Sequence, residues 1–278
     1  MESAATVARA RALSSALPRP LGFVPTMGAL HEGHLELVRH ARERCAAVLA
    51  SIFVNPLQFA PNEDLATYPR DLNHDREKLA AAGVDALFQP DAPAMYPANF
   101  STFVEVEPLG ALFEGAQRPG HFRGVTTVIV KLLNILQPDV LFLGQKDAQQ
   151  AVLLRKMIAD LDFLVDVEIV PTVREPDGLA RSSRNRYLDS TRRAEAVTLY
   201  QALCTTLRAL EDGARKADAL AAGAASLSPS AQLDYLEIVD AETFEPIEKF
   251  RPPAFVIGAA RFGKAQDDMA QDRLKNGG

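Results

Sequence analysis

The segment of residues 25–34 carries two histidines, His31 and His34, three residues apart. Residues at this spacing lie on one face of a helical turn, so both imidazoles can point at one ligand. An imidazole donates a hydrogen bond, or a proton-linked positive charge, to a phosphate on which charge builds up. Gly28 and Gly33 permit a tight turn and a close backbone approach. The pattern predicts a phosphate-handling turn. Two solvated histidines are the alternative, and a zinc pair lacks a nearby third ligand of suitable spacing.

A second polar turn, Gly144-Gln145-Lys146-Asp147, follows the apolar run 140–143. Lys146 can neutralise a phosphate, and Asp147 can cap a following helix while accepting a hydrogen bond from a ribose hydroxyl. An ordinary turn with a helix cap explains the same residues equally well.

A third polar segment is Ala180-Arg181-Ser182-Ser183-Arg184-Asn185. Between residues 174 and 193, six arginines stand against three acidic residues, which leaves a local excess of three positive charges. A mobile loop of this composition can fold over a triphosphate, because it presents hydroxyl and guanidinium donors together. A solvated basic linker is the alternative interpretation.

Alternating strands and helices must position these three segments. Short apolar or β-branched runs predict strands, and apolar residues at helical spacing predict helices between them. The predicted strands are 21–24, 48–54, 86–88, 140–143 and 167–170, and the predicted helices are 35–45, 72–82, 125–136 and 148–159. An amphipathic helix is predicted within residues 1–20. This order is typical of a Rossmann-like, doubly wound α/β fold with a parallel sheet, which binds ligands beyond the carboxyl ends of its strands.

The composition changes between residues 172 and 189, which are rich in Arg, Ser, Pro and Gly. A long Ala/Leu-rich helix is predicted from about Ser190, followed by strands at 235–239 and 255–260. These elements indicate a smaller α+β C-terminal domain. We therefore predict a nucleotide-binding domain over residues 1–174 and a lid domain over 175–278, with fraying from Gly263 onward.

The composition excludes several classes of protein. The chain has 278 residues, and its 30 Lys and Arg against 36 Asp and Glu give a net charge of −6. This balance lacks the basic field of a dedicated nucleic-acid binder. The two cysteines, Cys45 and Cys204, are too few for a disulfide framework and are interpreted as core residues. No apolar run approaches the roughly 20 residues that span a bilayer, and no export signal is recognised, so we expect a soluble cytoplasmic protein.

Several separated motifs, in order, resemble the nucleotidylyl transferases with a His-x-Gly-His motif and, more closely, the pantoate–β-alanine ligase family. The resemblance runs from about Leu21 to Leu188. Its motifs are residues 25–34, Phe53-Val54-Asn55-Pro56-Leu57-Gln58-Phe59, Tyr68-Pro69-Arg70, residues 118–125, residues 144–147 with Gln149-Gln150, and Ser182-Ser183-Arg184-Asn185.

The resemblance implies an AMP-forming ligase in pantothenate biosynthesis. Pantoate's carboxylate would attack the α-phosphate of ATP to give pantoyl adenylate and pyrophosphate, and the amine of β-alanine would then displace AMP. Mg²⁺ would accompany ATP as the cofactor. The implied partners are these small molecules and a second copy of the chain in a homodimer, with no nucleic acid and no membrane.

The family's site residues carry over to matching positions of this chain. The implied ATP-binding residues are Met27, Gly28, Ala29, Leu30, His31, Glu32, Gly33, His34, Gly144, Gln145, Lys146, Asp147, Val173, Arg181, Ser182, Ser183 and Arg184. The implied catalytic residues are His34 as proton donor, with His31, Lys146, Ser183 and Arg184. Gln58 and Gln150 would hold pantoate, Gln58 would also contact β-alanine, and Asn55 and Tyr68 would form pocket walls. Asp75 would be a metal ligand.

Three features depart from the family's usual pattern. Arg181 stands where the family has an apolar residue, and Asp75 alone remains of the acidic residues expected after Tyr68. Residues 263–268 replace an apolar ending. A different adenylate-forming or cytidylyl transferase would share the histidine turn without the 53–59 motif, and a nucleotide-binding sensor would bind ATP without releasing pyrophosphate.

Overall fold

The computed structural model describes residues 1–61, 63, 65–262 and 269–275. These residues form two compact units. The first contains residues 1–144 and 153–171, and the second contains residues 145–152 and 172–278. The domains predicted at 1–174 and 175–278 stay a prediction. The predicted departure at residues 263–268 lies outside the described residues.

The first unit contains a six-stranded parallel sheet in the order β1-β4-β3-β2-β5-β6. The strands are β1 (Glu2–Ala4), β2 (Leu21–Thr26), β3 (Ala47–Ile52), β4 (Ala86–Phe88), β5 (Val140–Gly144) and β6 (Asp166–Val170). The chain order reverses direction across the sheet at β2, which lies between β3 and β5. Such a switch point opens a crevice at the carboxyl ends of the strands. The predicted Rossmann-like fold class is confirmed.

Helices connect these strands, five of them close to the predicted positions and two short ones that were not predicted. They are α1 (Val7–Ala16), α2 (Glu32–Arg44), α3 (Leu72–Ala81), α4 (Ala92–Met95), α5 (Glu114–Gln117), α6 (His121–Leu136) and α7 (Ala148–Asp160). A short 3₁₀ helix, Pro56–Gln58, follows β3. Helix α2 begins three residues before the predicted start because His31 caps it. Within residues 1–20 the helical prediction missed β1, whose three residues are specified only by pairing with β4.

The core of the first unit lies between the sheet and its helices. Val24, Val48 and Phe142 from the strands pack with Val38 of α2. Cys45 belongs to this cluster, and burial raises the pKa of its thiol. This cysteine is therefore a core residue, as predicted, whereas Cys204 is half-buried.

The second unit contains an antiparallel sheet of β7 (Ala231–Asp240), β8 (Ala254–Phe262) and β9 (Met269–Lys275), with helices α8 (Ser190–Glu211) and α9 (Lys216–Ala224). The predicted smaller α+β portion is confirmed. The expectation of fraying was wrong for Met269–Lys275, because the backbone of these polar residues pairs with β8. No helix among the described residues is long and apolar enough to cross a membrane.

Candidate functional site

The turn after β2 is held by a carboxylate from α3. The backbone N–H groups of Ala29 and Leu30 donate to the two oxygens of Asp75, each at 2.8 Å. Gly28 and Ala29 both have positive φ, +84° and +52°. A Cβ on Gly28 would lie 3.0 Å from Asp75 Oδ2, so the left-handed, crowded position requires glycine. Asp75 is 3% exposed, and this geometry favours a structural role over the implied metal role.

The two histidines lie where this turn enters α2. His31 is the N-cap residue, and its Nδ1 accepts from the N–H of Gly33 at 3.1 Å. His34 Nδ1 accepts from the N–H of His31 at 3.3 Å, which completes a reciprocal capping box. Because a backbone N–H can only donate, each Nδ1 is unprotonated and each neutral ring carries its proton on Nε2.

The paired imidazoles form a compact donor group at a helix N-terminus. Their ring centroids are 4.1 Å apart. The N-terminus of α2 adds the positive end of the helix dipole, which favours an anion there. The geometry therefore suits the predicted contact with phosphate, and the catalytic roles of His31 and His34 stay predictions.

The side chain of Gln58 lies beside the same turn, and Asn55 fixes its orientation. Asn55 Nδ2 donates to Gln58 Oε1 at 3.0 Å and to the carbonyl of Gly124 at 3.1 Å. Asn55 Oδ1 accepts from the hydroxyl of Tyr96 at 2.8 Å. With its oxygen engaged, Gln58 turns its Nε2 donor towards Met27 Sδ, 3.2 Å away. Asn55 is 1% exposed and supports Gln58, and its role as a pocket wall stays a prediction.

Close packing of α6 against the 3₁₀ helix maintains this arrangement. A Cβ on Gly124 would lie 2.3 Å from the carbonyl oxygen of Leu57, so only glycine allows the two backbones to approach this closely. Burial raises the pKa of Tyr96, which keeps its phenol protonated and able to donate to Asn55. Tyr68, the other predicted pocket wall, is buried with its ring edge-on to Phe59.

A charged cluster lies on the backbone side of Gln58. Arg118 Nε and Nη2 donate to both oxygens of Glu63 at 2.8 and 2.7 Å, and Arg118 Nη1 lies 3.1 Å from Glu114 Oε1. Burial raises the pKa of Glu63, but the hydrogen bonds and charge of Arg118 outweigh burial and hold that pKa below its usual value. With one cation and two carboxylates, the cluster is net negative and does not itself attract a substrate carboxylate.

His121 joins this cluster to the carbonyl of Gln58. Arg118 Nη1 lies 3.2 Å from His121 Nε2, and His121 Nδ1 lies 2.9 Å from the Gln58 carbonyl oxygen. Arg118 can only donate, so His121 Nε2 accepts from it. His121 Nδ1 therefore carries the ring proton and donates a hydrogen bond to the Gln58 carbonyl oxygen. Burial and the charge of Arg118 lower the pKa of His121 to about 4. A cavity of about 210 Å³ borders these residues and the ring of Phe103.

The low pKa of His121 predicts a loss of stability as the solution is acidified. In the unfolded chain a histidine has a pKa of about 6.5. Between that value and about 4, the unfolded state binds a proton that the folded state excludes, so stability falls as pH falls, by up to about 3 kcal/mol. His121→Gln keeps a donor and an acceptor without titrating, and it should lose less stability between pH 7 and 4.5. Urea unfolding of both proteins measures the difference. An equal dependence of the unfolding free energy on pH in the two proteins would contradict the low pKa of His121.

The second unit carries the other predicted phosphate ligands. Lys146 Nζ lies 2.6 Å from Asp147 Oδ1, and the backbone carbonyl of Asp147 accepts from the N–H of Ala151 at the start of α7. Gln150 lies half-buried on the first turn of that helix. The ion pair reduces the net charge that Lys146 presents, and the roles of these residues stay predictions.

The predicted phosphate-covering segment forms a turn and a short 3₁₀ helix within the second unit. The N–H of Arg181 donates to the carbonyl of Val173 at 2.9 Å, which pairs the two ends of a tight antiparallel turn. Ser182 caps a 3₁₀ helix, Ser183–Tyr187, by accepting from the N–H of Arg184. Arg181 Nη1 lies 4.0 Å from Glu175 Oε1, so the residue that departs from the family pattern faces a carboxylate.

Sequence reasoning missed several supporting residues. Glu63, Arg118, His121 and Tyr96 received no role, although residues 118–125 formed one of the matching motifs. For Arg118 and His121 the available signal was their place in that motif, whereas Glu63 and Tyr96 lie outside the motifs. Within the described residues, no group of three or more His, Cys, Asp or Glu could hold a metal ion.

Comparisons with known proteins give a consistent result. A sequence profile for pantoate-beta-alanine ligase matches residues 2–267. A pantothenate synthetase from Thermus thermophilus is 50% identical over 270 residues, which cover 96% of this chain and 97% of that protein. Another from Pelotomaculum thermopropionicum is 49% identical over 251 residues, 89% of each chain.

Solved structures agree with the sequence relatives. The crystal structure of a pantothenate synthetase from Thermus thermophilus superposes with a TM-score of 0.94 at 49% identity, covering 99% of both chains. A pantoate-beta-alanine ligase from Francisella tularensis, complexed with beta-gamma ATP and beta-alanine, gives a TM-score of 0.80 at 33% identity, covering 99% of this chain and 97% of that one.

Proposed function

Because this chain belongs to the pantoate–β-alanine ligase family, we propose that it forms a pantoyl adenylate at the turn after β2. The chain is an ATP-using ligase that condenses pantoate with β-alanine to pantothenate. The observation that supports the location best is the 3.2 Å contact between Gln58 Nε2 and Met27 Sδ. It places an oriented amide donor next to the turn that leads into the paired histidines.

The first half-reaction joins two anions, so the site must offset negative charge before attack. An oxygen of the pantoate carboxylate bonds to the α-phosphorus of ATP, and the bond from that phosphorus to the leaving pyrophosphate breaks. The Nε2–H groups of His31 and His34 and the N-terminus of α2 donate to the phosphates as charge moves onto them. The family resemblance assigns phosphate contacts to Lys146, Ser183 and Arg184 of the second unit as well, and these roles stay predictions.

Gln58 recognises the acid that is activated. A neutral amide with a fixed donor suits a hydroxyl-bearing carboxylate such as pantoate, because it binds without adding a competing charge. Gln150 is the second amide assigned to pantoate. In the second half-reaction the neutral amine nitrogen of β-alanine attacks the acyl carbon, the bond from that carbon to AMP breaks, and the nitrogen loses a proton. Holding the amine next to the adenylate supplies much of the acceleration.

Magnesium enters with ATP in this proposal. Both oxygens of Asp75, the residue first assigned to the metal, accept from backbone N–H groups. The described residues contain no group of three or more His, Cys, Asp or Glu that could hold a metal ion. The chain therefore does not fit a protein-held Mg²⁺ site at Asp75. A homodimer and a cytoplasmic location complete the proposal as predictions, and light scattering measures the former.

The test of the function is product formation. With ATP, Mg²⁺, pantoate and β-alanine, we expect pantothenate, AMP and pyrophosphate in equal amounts by mass spectrometry and coupled assay. With β-alanine omitted, we expect one equivalent of enzyme-bound pantoyl adenylate. Pyrophosphate release without pantoate, or ATP binding without any release, would contradict the proposal and favour another transferase or a nucleotide sensor.

A further inference from the structure

We infer that Asp75 and Lys78 of α3 act together as a clamp that sets the shape of the turn carrying the two histidines. Both are positioning residues, and the inference rests on the proposed function of that turn. Asp75 accepts from the N–H groups of Ala29 and Leu30, and Lys78 Nζ donates to the carbonyl of Leu30 at 2.6 Å. The two side chains are three residues apart, so they share one face of the helix.

The clamp stabilises a backbone conformation that the turn does not favour by itself. Ala29 has a φ of +52°, in the left-handed region that is disfavoured for residues with a Cβ. The short, charge-assisted bond from its N–H to Asp75 compensates for that cost, and the second bond fixes the adjoining peptide. Gly28 leaves space for the Asp75 oxygen that a Cβ would approach to 3.0 Å.

The shape of the turn determines where the imidazoles lie. Leu30 immediately precedes His31, whose backbone N–H donates to His34 Nδ1. A displaced Leu30 would therefore shift the cap and both rings together. The N–H groups of Ala29 and Leu30 donate to Asp75 and not to a ligand. The clamp therefore contributes to catalysis through the position of the histidines.

The test is the isosteric variant Asp75→Asn. An asparagine offers one oxygen to the two N–H groups and turns its own N–H₂ towards the other, which replaces an attraction with a repulsion. We expect the amides of Ala29 and Leu30 to exchange with deuterium at least tenfold faster. We also expect the single-turnover rate of pyrophosphate release from ATP and pantoate to fall about tenfold, because misplacement of reacting groups by about 1 Å costs up to about 10²-fold in rate.

Two controls separate the clamp from charge loss and from metal binding. Glu77→Gln removes the same charge from an exposed position of α3 and should match the parent protein in rate and exchange. The Mg²⁺ concentration for half-maximal activity should be the same in Asp75→Asn as in the parent. Lys78→Met leaves the Asp75 carboxylate in place. It should show a smaller decrease in rate and a smaller increase in amide exchange than Asp75→Asn.

Different results would overturn the clamp and the proposed function. Unchanged protection of Ala29 and Leu30 in Asp75→Asn would overturn the clamp, as would recovery of the rate at high Mg²⁺, which would make Asp75 a metal ligand. A parent protein that releases no pyrophosphate would overturn the proposed function, while hydrogen exchange would still decide the clamp. Thermal unfolding shows whether Asp75→Asn is folded, and if it is not, Lys78→Met serves for the same measurements.

Discussion

Replacing His34 by alanine should lower the rate of pantoyl adenylate formation by about 10² to 10³, judged from the removal of single donors at oxyanion sites. The Nδ1 of His34 is occupied by the backbone N–H of His31, which leaves Nε2 as its proton-bearing atom. In the proposed reaction this group donates to phosphate oxygens as charge accumulates. ATP binding should weaken less than turnover, because the interaction strengthens in the transition state.

The same substitution also removes part of a helix cap, so a second variant is needed. His34→Gln supplies a side-chain oxygen at the third helical position, where Gln is a normal partner in a capping box. It should recover the stability lost by His34→Ala without recovering the rate. The matched control is His40→Ala. His40 lies on the same helix with its Nε2 3.3 Å from Glu36 Oε1, and its replacement should leave the rate unchanged. Rapid-quench measurement of adenylate tests all three, and near-normal adenylate formation by His34→Ala would limit this histidine to a structural role.

Replacing Gln58 by alanine should weaken pantoate binding by about 10- to 150-fold, since a hydrogen bond to a charged group contributes roughly 1.5 to 3 kcal/mol. Asn55 holds the Gln58 amide with its donor directed along the turn, so the loss is that of a preorganised group. Because Gln58 is assigned to both substrates, consumption of isolated pantoyl adenylate by β-alanine should also slow. Substrate titrations by calorimetry and stopped flow measure both effects.

Two comparisons make the Gln58 result specific. Gln150→Ala should raise the pantoate requirement alone, with ATP binding and the β-alanine step nearly unchanged. Tyr96→Phe removes the hydroxyl that donates to Asn55, so it should reproduce a weaker form of the Gln58 defect. If Gln58→Ala instead weakened ATP binding and spared pantoate, the acid pocket would lie elsewhere.

The alternation of strands and helices was predictable because it depends on local periodicity. Buried strands such as β2 and β3 are continuous apolar runs, and the helices between them repeat apolar residues at helical spacing. The His31–His34 pair was predictable for the same reason, since a capping box involves residues three apart. Family motifs then indicated the reaction and its substrates, which the periodicity of helices and strands does not specify.

The tertiary structure alone decided how distant residues support this site. Asp75 was assigned as a metal ligand through the family resemblance, yet it bonds to a turn 45 and 46 residues away in the chain. The orientation of Gln58 depends on Asn55 and on a glycine of α6, and His121 binds its carbonyl. Strands β1 and β9 likewise form only because a neighbouring strand offers backbone partners. Such contacts depend on how helices and strands pack, and packing is a property of the whole chain that the spacing of neighbouring residues does not encode.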